Sequence, residues 1–247
     1  MLHTIKLQVI KDIALIAGAA VMDIYKRDFK VYEKEDKSPL SEADIVANRI
    51  LCENLECFNI PLLSEENKLT SFNERKNWEY FFMIDPIDGT KEFIKKNGEF
   101  TINIALIHKD TPVLGVVYAP AIDVLYSAKK GCGAFRNDVS LPLLQQSEVY
   151  TIVASKSHMS EETRDFIDSI NTNKPKNFIS MGSSLKFCLV ASGEADIYPR
   201  LAPTMEWDTA AADAIVREAG KMSYDFFTKK PLVYNKRSLE NPYFIVQ

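Results

Sequence analysis

An apolar run that ends in two aspartates carries the first chemical signal in this 247-residue chain: FFMIDPIDGTKEF, residues 81–93. A charge at the end of a buried strand is costly unless something compensates it. Two chemistries fit. An aspartate can attack phosphorus as a nucleophile, or carboxylates can hold a cation. In the nucleophilic arrangement the paired aspartates stand one residue apart; here Pro86 and Ile87 separate Asp85 from Asp88. Pro86 fixes the backbone between them and Gly89 permits a sharp turn. Both carboxylates and the Ile87 carbonyl can then converge. Hard oxygen donors of this kind suit Mg²⁺ or Mn²⁺. Thr90 follows, where its hydroxyl either orients a water or closes the turn with a hydrogen bond.

Three further places put carboxylates at the end of an element: Asp44, the pair Glu65 and Glu66, and Asp208. Glu65 and Asp208 could complete a site for two or more ions, spaced about 3.5–4 Å so as to flank a phosphoryl group. Asp44 could accept a proton from Thr90. Each acid also has a purely structural reading. Asp44 and Asp208 could cap their helices, worth about 0.5–2 kcal/mol each, and Glu65 and Glu66 could be solvated loop acids. GSSLKF (Gly182–Phe187) is a second signal, since a helix that starts within the serines offers free N–H groups to an anion. Lys186 adds a positive charge there, or else lies on a solvated face.

The elements that must position these residues are legible from periodicity. One amphipathic helix is expected from Leu2 to Tyr25, FKVYEK reads as a strand or hairpin, and a helix starts near Ser41, with Asp44 placed for a capping box. IPLLSEE and WEYFFMID are strands that run into acids, the second apolar enough to be buried on both faces. From Phe100 to Arg136, turn residues break three strand-like runs into an antiparallel meander. The remainder alternates strand and helix, as an α/β unit does. The chain therefore divides into an α+β lobe, residues 1–143, carrying most of the acids, and an α/β lobe, residues 144–247, contributing Asp208 and GSSLKF.

Composition narrows the partners. A hydrophobic fraction of 46%, a charged fraction of 26% and a net charge of −4 describe an ordinary globular enzyme rather than a nucleic-acid binder, which leaves a basic footprint. The four cysteines form no CxxC pair and the three histidines no HExxH motif, so neither a disulfide scaffold nor a zinc site is expected. The apolar stretch Ile13–Met22 is short and flanked by charge, which disfavours a signal peptide or a membrane span.

Taken together, SEE at Ser64–Glu66, DPIDGT at Asp85–Thr90 and WDTAA at Trp207–Ala211 resemble the inositol monophosphatase superfamily of metal-dependent phosphomonoesterases. Lys91, Glu92 and Phe93 after DGT, with KSPLSEAD, NGEFTINIALI, PVLGVVYAPA, GSSLKFC and ADIYPRLAPTMEWDTAA, resemble its CysQ-type 3′(2′),5′-bisphosphate nucleotidase branch. The resemblance covers nearly the whole chain. It implies a layered αβαβα sandwich, as in fructose-bisphosphatase, with two or three Mg²⁺ ions that Mn²⁺ can replace. Glu65, Asp85, the Ile87 carbonyl, Asp88 and Asp208 match the metal ligands, and Asp44 with Thr90 match the pair that activates the water. Gly89 and Thr90 fall at the scissile phosphate, and Lys91 is a substrate-binding position that hints at a nucleotide. Gly182, Ser183 and Lys186 fall on the nucleotide side, as do Ser157 and His158, where Lys156 replaces an arginine and so loses bidentate phosphate contact. The implied reaction is hydrolysis of adenosine 3′,5′-bisphosphate to AMP and phosphate by metal-activated water, and lithium sensitivity is implied with it. The implied setting is a cytoplasmic monomer or homodimer with at most peripheral membrane contact. The rival readings are an inositol- or sugar-phosphate phosphatase with the same metal site, and an inactive nucleotide- or metal-binding regulator.

Overall fold

Helix α1 (Leu7–Tyr25) forms because apolar residues recur every three or four positions: Ile10, Ile13, Ala14, Ala17, Val21 and Ile24 are buried, while Val9 and Ile16 face outward. The helix expected from Leu2 is interrupted. A 3₁₀ turn covers Leu2–Thr4, and the Ile5 carbonyl accepts a hydrogen bond from Lys129 at 2.8 Å instead of continuing a helical ladder. The computed structural model describes residues 2–34, 37–143, 147–154 and 160–247. FKVYEK enters a hairpin, β1 (Val31–Glu33) against β2 (Pro39–Ser41), which delivers the chain to α2 (Glu42–Leu55).

A seven-stranded sheet follows. Strand β3 (Leu62–Ser64) lies parallel to β4 (Tyr80–Asp88), and the short helix α3 (Phe72–Arg75) lies between them in sequence. After β4 and the one-turn helix α4 (Thr90–Ile94), an antiparallel meander runs through β5 (Thr101–His108), β6 (Thr111–Ala119), β7 (Val124–Lys129), β8 (Gly133–Arg136) and β9 (Val139–Ser140). Successive residues of β4 point to opposite faces, and both faces are buried. Phe82 and Ile84 join the cluster under α1 and α2; Phe81 and Met83 join the cluster on the other side.

The second half supplies that other side. Strands β10 (Tyr150–Ala154) and β11 (Lys176–Ser180) pair in parallel, separated in sequence by α5 (Glu161–Ser169). Helix α6 (Leu185–Ser192) leads to β12 (Tyr198–Arg200), helix α7 (Glu206–Glu218) to β13 (Ser223–Asp225), and β14 (Phe244–Val246) pairs with both β12 and β13. A bridge between Ile152 and Ile197 joins the two sets of strands. The layers are thus α1 and α2, the large sheet, α6 and α7, the small strands, and α5. β14 escaped sequence reading because three apolar residues near a terminus carry no period.

Helix α7 sits unusually close to the large sheet. A Cβ on Gly115 of β6 would lie 2.0 Å from the Ala211 carbonyl oxygen and 2.9 Å from the Ala214 Cβ. Glycine is required there for the backbones to approach, and the approach sets the height of the α7 N-terminus over the end of β4.

Candidate active site

The spacing of Asp85 and Asp88 is resolved by a bulge. Asp85 pairs with Asn103 and Asp88 with Thr101, so two residues of β4, Pro86 and Ile87, oppose the single Ile102 of β5. In a regular strand, positions three apart face opposite ways; one extra residue brings both aspartates to the same face. Pro86 costs nothing at this irregular point because its missing N–H has no ladder partner to lose. The Ile87 N–H donates to Asp85 Oδ1 at 3.0 Å, and Gly89 takes the left-handed conformation, with φ of +93°, before α4 starts at Thr90.

Three other elements deliver their acids to this face. Glu65 follows β3, its N–H donating to the Ile84 carbonyl at 3.3 Å. Asp208 is the third residue of α7 and caps it, with Oδ2 accepting from Met205 N at 2.9 Å. Oxygens of Glu65, Asp85 and Asp208 all lie within 4.8 Å of one another. Asp88 stands just outside that trio, its Oδ2 accepting the Ser184 N–H at 2.5 Å.

Asp44 is buried at the third position of α2 and serves two partners. Oδ2 accepts from the Ser41 N–H at 2.7 Å and the Ser41 hydroxyl at 2.5 Å, which completes a capping box. Oδ1 accepts from Thr90 Oγ1 at 3.2 Å. The Thr90 hydroxyl also lies 3.3 Å from the Ile87 carbonyl. Asp44 therefore caps α2 through one oxygen and contacts Thr90 through the other.

The electrostatics are those of a site short of positive charge. Burial pushes Asp85 well above the usual carboxylate range, and repulsion from Glu65, Asp88 and Asp208 adds to it. Asp208 is raised likewise by burial, then by Asp88 and Glu65. Burial lifts Asp88 to about 6, with Lys186 and the Ser184 N–H working the other way. Asp44 is raised by burial against the pull of its Ser41 hydrogen bonds. An all-carboxylate donor set, clustered, half-buried around a buried Asp85 and mutually repelling, fits a hard divalent cation.

The GSSLKF segment corrects one sequence expectation and sharpens another. The Ser184 N–H at the start of α6 is taken by Asp88, so the anion at this turn is the protein's own carboxylate. The reason is local packing: Ser184 Oγ also bonds Asn103 at 2.9 Å and Thr101 at 2.8 Å, which locks the turn onto β5. Gly182 is needed for contact, since a Cβ there would lie 2.7 Å from the Glu99 carbonyl oxygen. Ser183 adopts φ of +49°, and its hydroxyl is buried without a partner. Lys186 is not on a solvated face. It is buried, donates to the Ser183 carbonyl at 2.6 Å and lies over the Tyr198 ring. Burial pushes its ammonium down to about 8, while Asp88 pulls the other way.

One cleft of about 230 Å³ is lined by Glu65, Asp88, Gly89, Thr90, Lys91 and Asp208, and also by Gly182, Ser183, Lys186 and Arg200. Arg200, at the end of β12, is a cleft residue that its place within ADIYPRLAPTMEWDTAA does not single out. Its Nε is buried without a partner. Lys34 was missed from sequence; it contacts Glu65 and Glu66. Ser157 and His158 lie outside the described residues.

Comparison with known proteins places the whole chain among one set of relatives. Residues 6–243 match the inositol monophosphatase family. The 3′(2′),5′-bisphosphate nucleotidase CysQ of Shigella flexneri is 42% identical over 95% of this chain and 96% of its own. The crystal structure of CysQ from Bacteroides thetaiotaomicron superposes with a TM-score of 0.90 at 41% identity, covering 98% of this chain and 96% of that one. The extragenic suppressor protein SuhB of Bartonella henselae follows at 26% identity and a TM-score of 0.75, with 92% of each chain covered.

Proposed function

Since the chain belongs to the inositol monophosphatase family, whose members use divalent metal ions, we propose that it is a Mg²⁺-dependent 3′(2′),5′-bisphosphate nucleotidase. Its substrate is adenosine 3′,5′-bisphosphate and its products are AMP and phosphate. The observation that carries this reading is the pairing of an acidic and a basic end in one cleft. An acidic end suited to cations adjoins a basic end holding Lys186, Arg200 and the unpartnered Ser183 hydroxyl. A substrate with two phosphates satisfies both ends; a monophosphate satisfies one.

Glu65, Asp85, Asp208, the Ile87 carbonyl and Asp88 would hold two or three Mg²⁺ ions. Bound there, the ions supply charge neutralisation at the phosphoryl oxygens and a lowered pKa for an attacking water. The protein's own part is proton handling and orientation. The Thr90 hydroxyl has one proton and two acceptors in reach, Ile87 O and Asp44 Oδ1. Engagement of Ile87 O elsewhere leaves that proton on the Asp44 side, so the Thr90 oxygen lone pairs are free to accept from water. Asp44, raised above an ordinary carboxylate by burial, is the stronger base for it. Gly89 allows the chain to turn so that Thr90 and Lys91 face the phosphate, and Ser183, Lys186 and Arg200 address the second phosphate.

The test is a side-by-side assay of adenosine 3′,5′-bisphosphate and inositol 1-phosphate at one Mg²⁺ concentration. The bisphosphate is expected to show the higher kcat/KM. Faster turnover of inositol 1-phosphate would overturn the substrate assignment while leaving the metal site standing.

A further inference from the structure

Two glutamates follow β3, but only Glu65 belongs to the carboxylate trio. Both share one cation. Lys34 Nζ lies 2.8 Å from Glu65 Oε1 and 2.6 Å from Glu66 Oε1. The Lys34 and Glu66 side chains are only 20% and 9% exposed, so water screens this contact weakly. The lysine is not a loose arm. Its N–H donates to the Ser38 carbonyl at 2.9 Å, and its own carbonyl accepts from Lys37 N at 2.9 Å. The hairpin base therefore delivers a fixed positive charge to a carboxylate that the metal also needs.

We propose that Lys34 competes with a divalent ion for Glu65, and that Glu66 limits this competition by keeping a second partner for the ammonium. The inference rests on the reading of Glu65 as a metal ligand. An ammonium on Glu65 draws electron density from the donor oxygen and repels an incoming cation. When Glu65 turns to the ion, Lys34 retains Glu66, its nearer partner, and stays buried with its charge paired. This accounts for two adjacent acids where one ligand is used. It also makes the ion affinity of the site lower than its carboxylates alone would give. A lysine that merely tethered the hairpin would do the opposite, since its loss would loosen Glu65 and weaken the site.

Equilibrium titration of the full chain with Mn²⁺, followed by the electron paramagnetic resonance of free Mn²⁺, separates the two. Removing one positive charge a carboxylate's width from a divalent ion is worth on the order of tenfold in affinity even at the dielectric of water. Lys34→Met is expected to tighten Mn²⁺ binding by about that factor, and Lys34→Arg to leave it near wild type. Glu66→Gln is expected to weaken binding, and to weaken it less in the Lys34→Met background. Circular dichroism and thermal melts establish that each variant is folded. Unchanged or weaker binding in folded Lys34→Met overturns the proposal, as does an equal Glu66→Gln loss in both backgrounds. Asp85→Asn distinguishes the deeper failure: if it binds Mn²⁺ like wild type, the ion lies elsewhere, and both the site assignment and the role of Lys34 fall.

Discussion

Asp44 spends one oxygen on its helix and the other on Thr90, and two substitutions separate those tasks. In Asp44→Asn the amide oxygen can still accept from the Ser41 N–H and hydroxyl, contacts now at 2.7 and 2.5 Å. What is lost is the negative charge at the α2 N-terminus, about 0.3–1 kcal/mol, and the ability to take a proton. In a chain of this size about 1 kcal/mol lowers Tm by about 2–4 °C. The catalytic loss is far larger, about 10²–10⁴-fold in kcat for a missing general base. Ser41→Ala inverts the pattern. It removes the oxygen that accepts from Ala43 N at 3.1 Å and Asp44 N at 3.3 Å, a cap worth about 0.5–2 kcal/mol. It leaves the Asp44 carboxylate, its backbone anchor and the Thr90 contact in place. Steady-state kinetics at saturating Mg²⁺ and bisphosphate, beside thermal melts, give both quantities for each variant. The reasoning fails if Asp44→Asn loses no more kcat than a Ser41→Ala protein of equal or lower Tm. Asp44 would then be a cap whose proximity to Thr90 is incidental.

Three further outcomes follow from the structure. Lys186→Met should raise KM for the bisphosphate about 10–100-fold, the cost of one charged hydrogen bond, with little change for a nucleoside 3′-monophosphate. With the Lys186 ammonium pushed down to about 8 by burial, wild-type kcat/KM for the bisphosphate should fall as pH rises through 8 and the charge is lost. A parallel fall for the monophosphate would place the titration elsewhere. Gly115→Ala should cost about 1–3 kcal/mol or more through overpacking, because the new Cβ would lie 2.0 Å from the Ala211 carbonyl oxygen. Urea denaturation measures it, and near-wild-type stability would show that α7 can lift without penalty.

The sequence was most informative where chemistry and local structure coincide. The turn after DPID was legible from Gly89, whereas the bulge at Pro86 and Ile87 that puts both aspartates on one face shows only in the pairing with β5. The Ser41–Asp44 cap was equally readable, being settled within four residues. What escaped depends on partners distant in sequence. GSSLKF looked like a phosphate-binding helix start, but its first amide is claimed by Asp88, 96 residues away in sequence. Gly182 lines the cleft, but that its lack of a side chain is demanded by Glu99 shows only in the fold. Lys34 and Arg200 carry no local signal at all, since a lysine in a hairpin and an arginine ending a strand are ordinary surface residues until the fold places them against Glu65 and Lys186.

Asp44 and Asp208 show why this chain can bring so much negative charge together without losing the fold. Each is the third residue of its helix, and each gives one oxygen to the N–H of its own cap residue, Ser41 or Met205. That bond fixes the side-chain rotamer from within the same four residues, leaving the second oxygen aimed outward for the site. The helix N-terminus also supplies a partial positive charge that favours the ionised carboxylate, opposing the burial and repulsion that raise both groups. Asp88 receives the same help from α6 through Ser184 N. Asp44, Asp208 and Asp88 are thus each stabilised by a backbone amide at a helix start. A cation then has to offset only the remaining repulsion, centred on Asp85, which has the Ile87 N–H, and on Glu65, which has Lys34. Among the described residues Glu65 is the acid of the set in a direct ion pair with an ammonium, so it is the proposed ligand whose affinity the Lys34 substitution can tune.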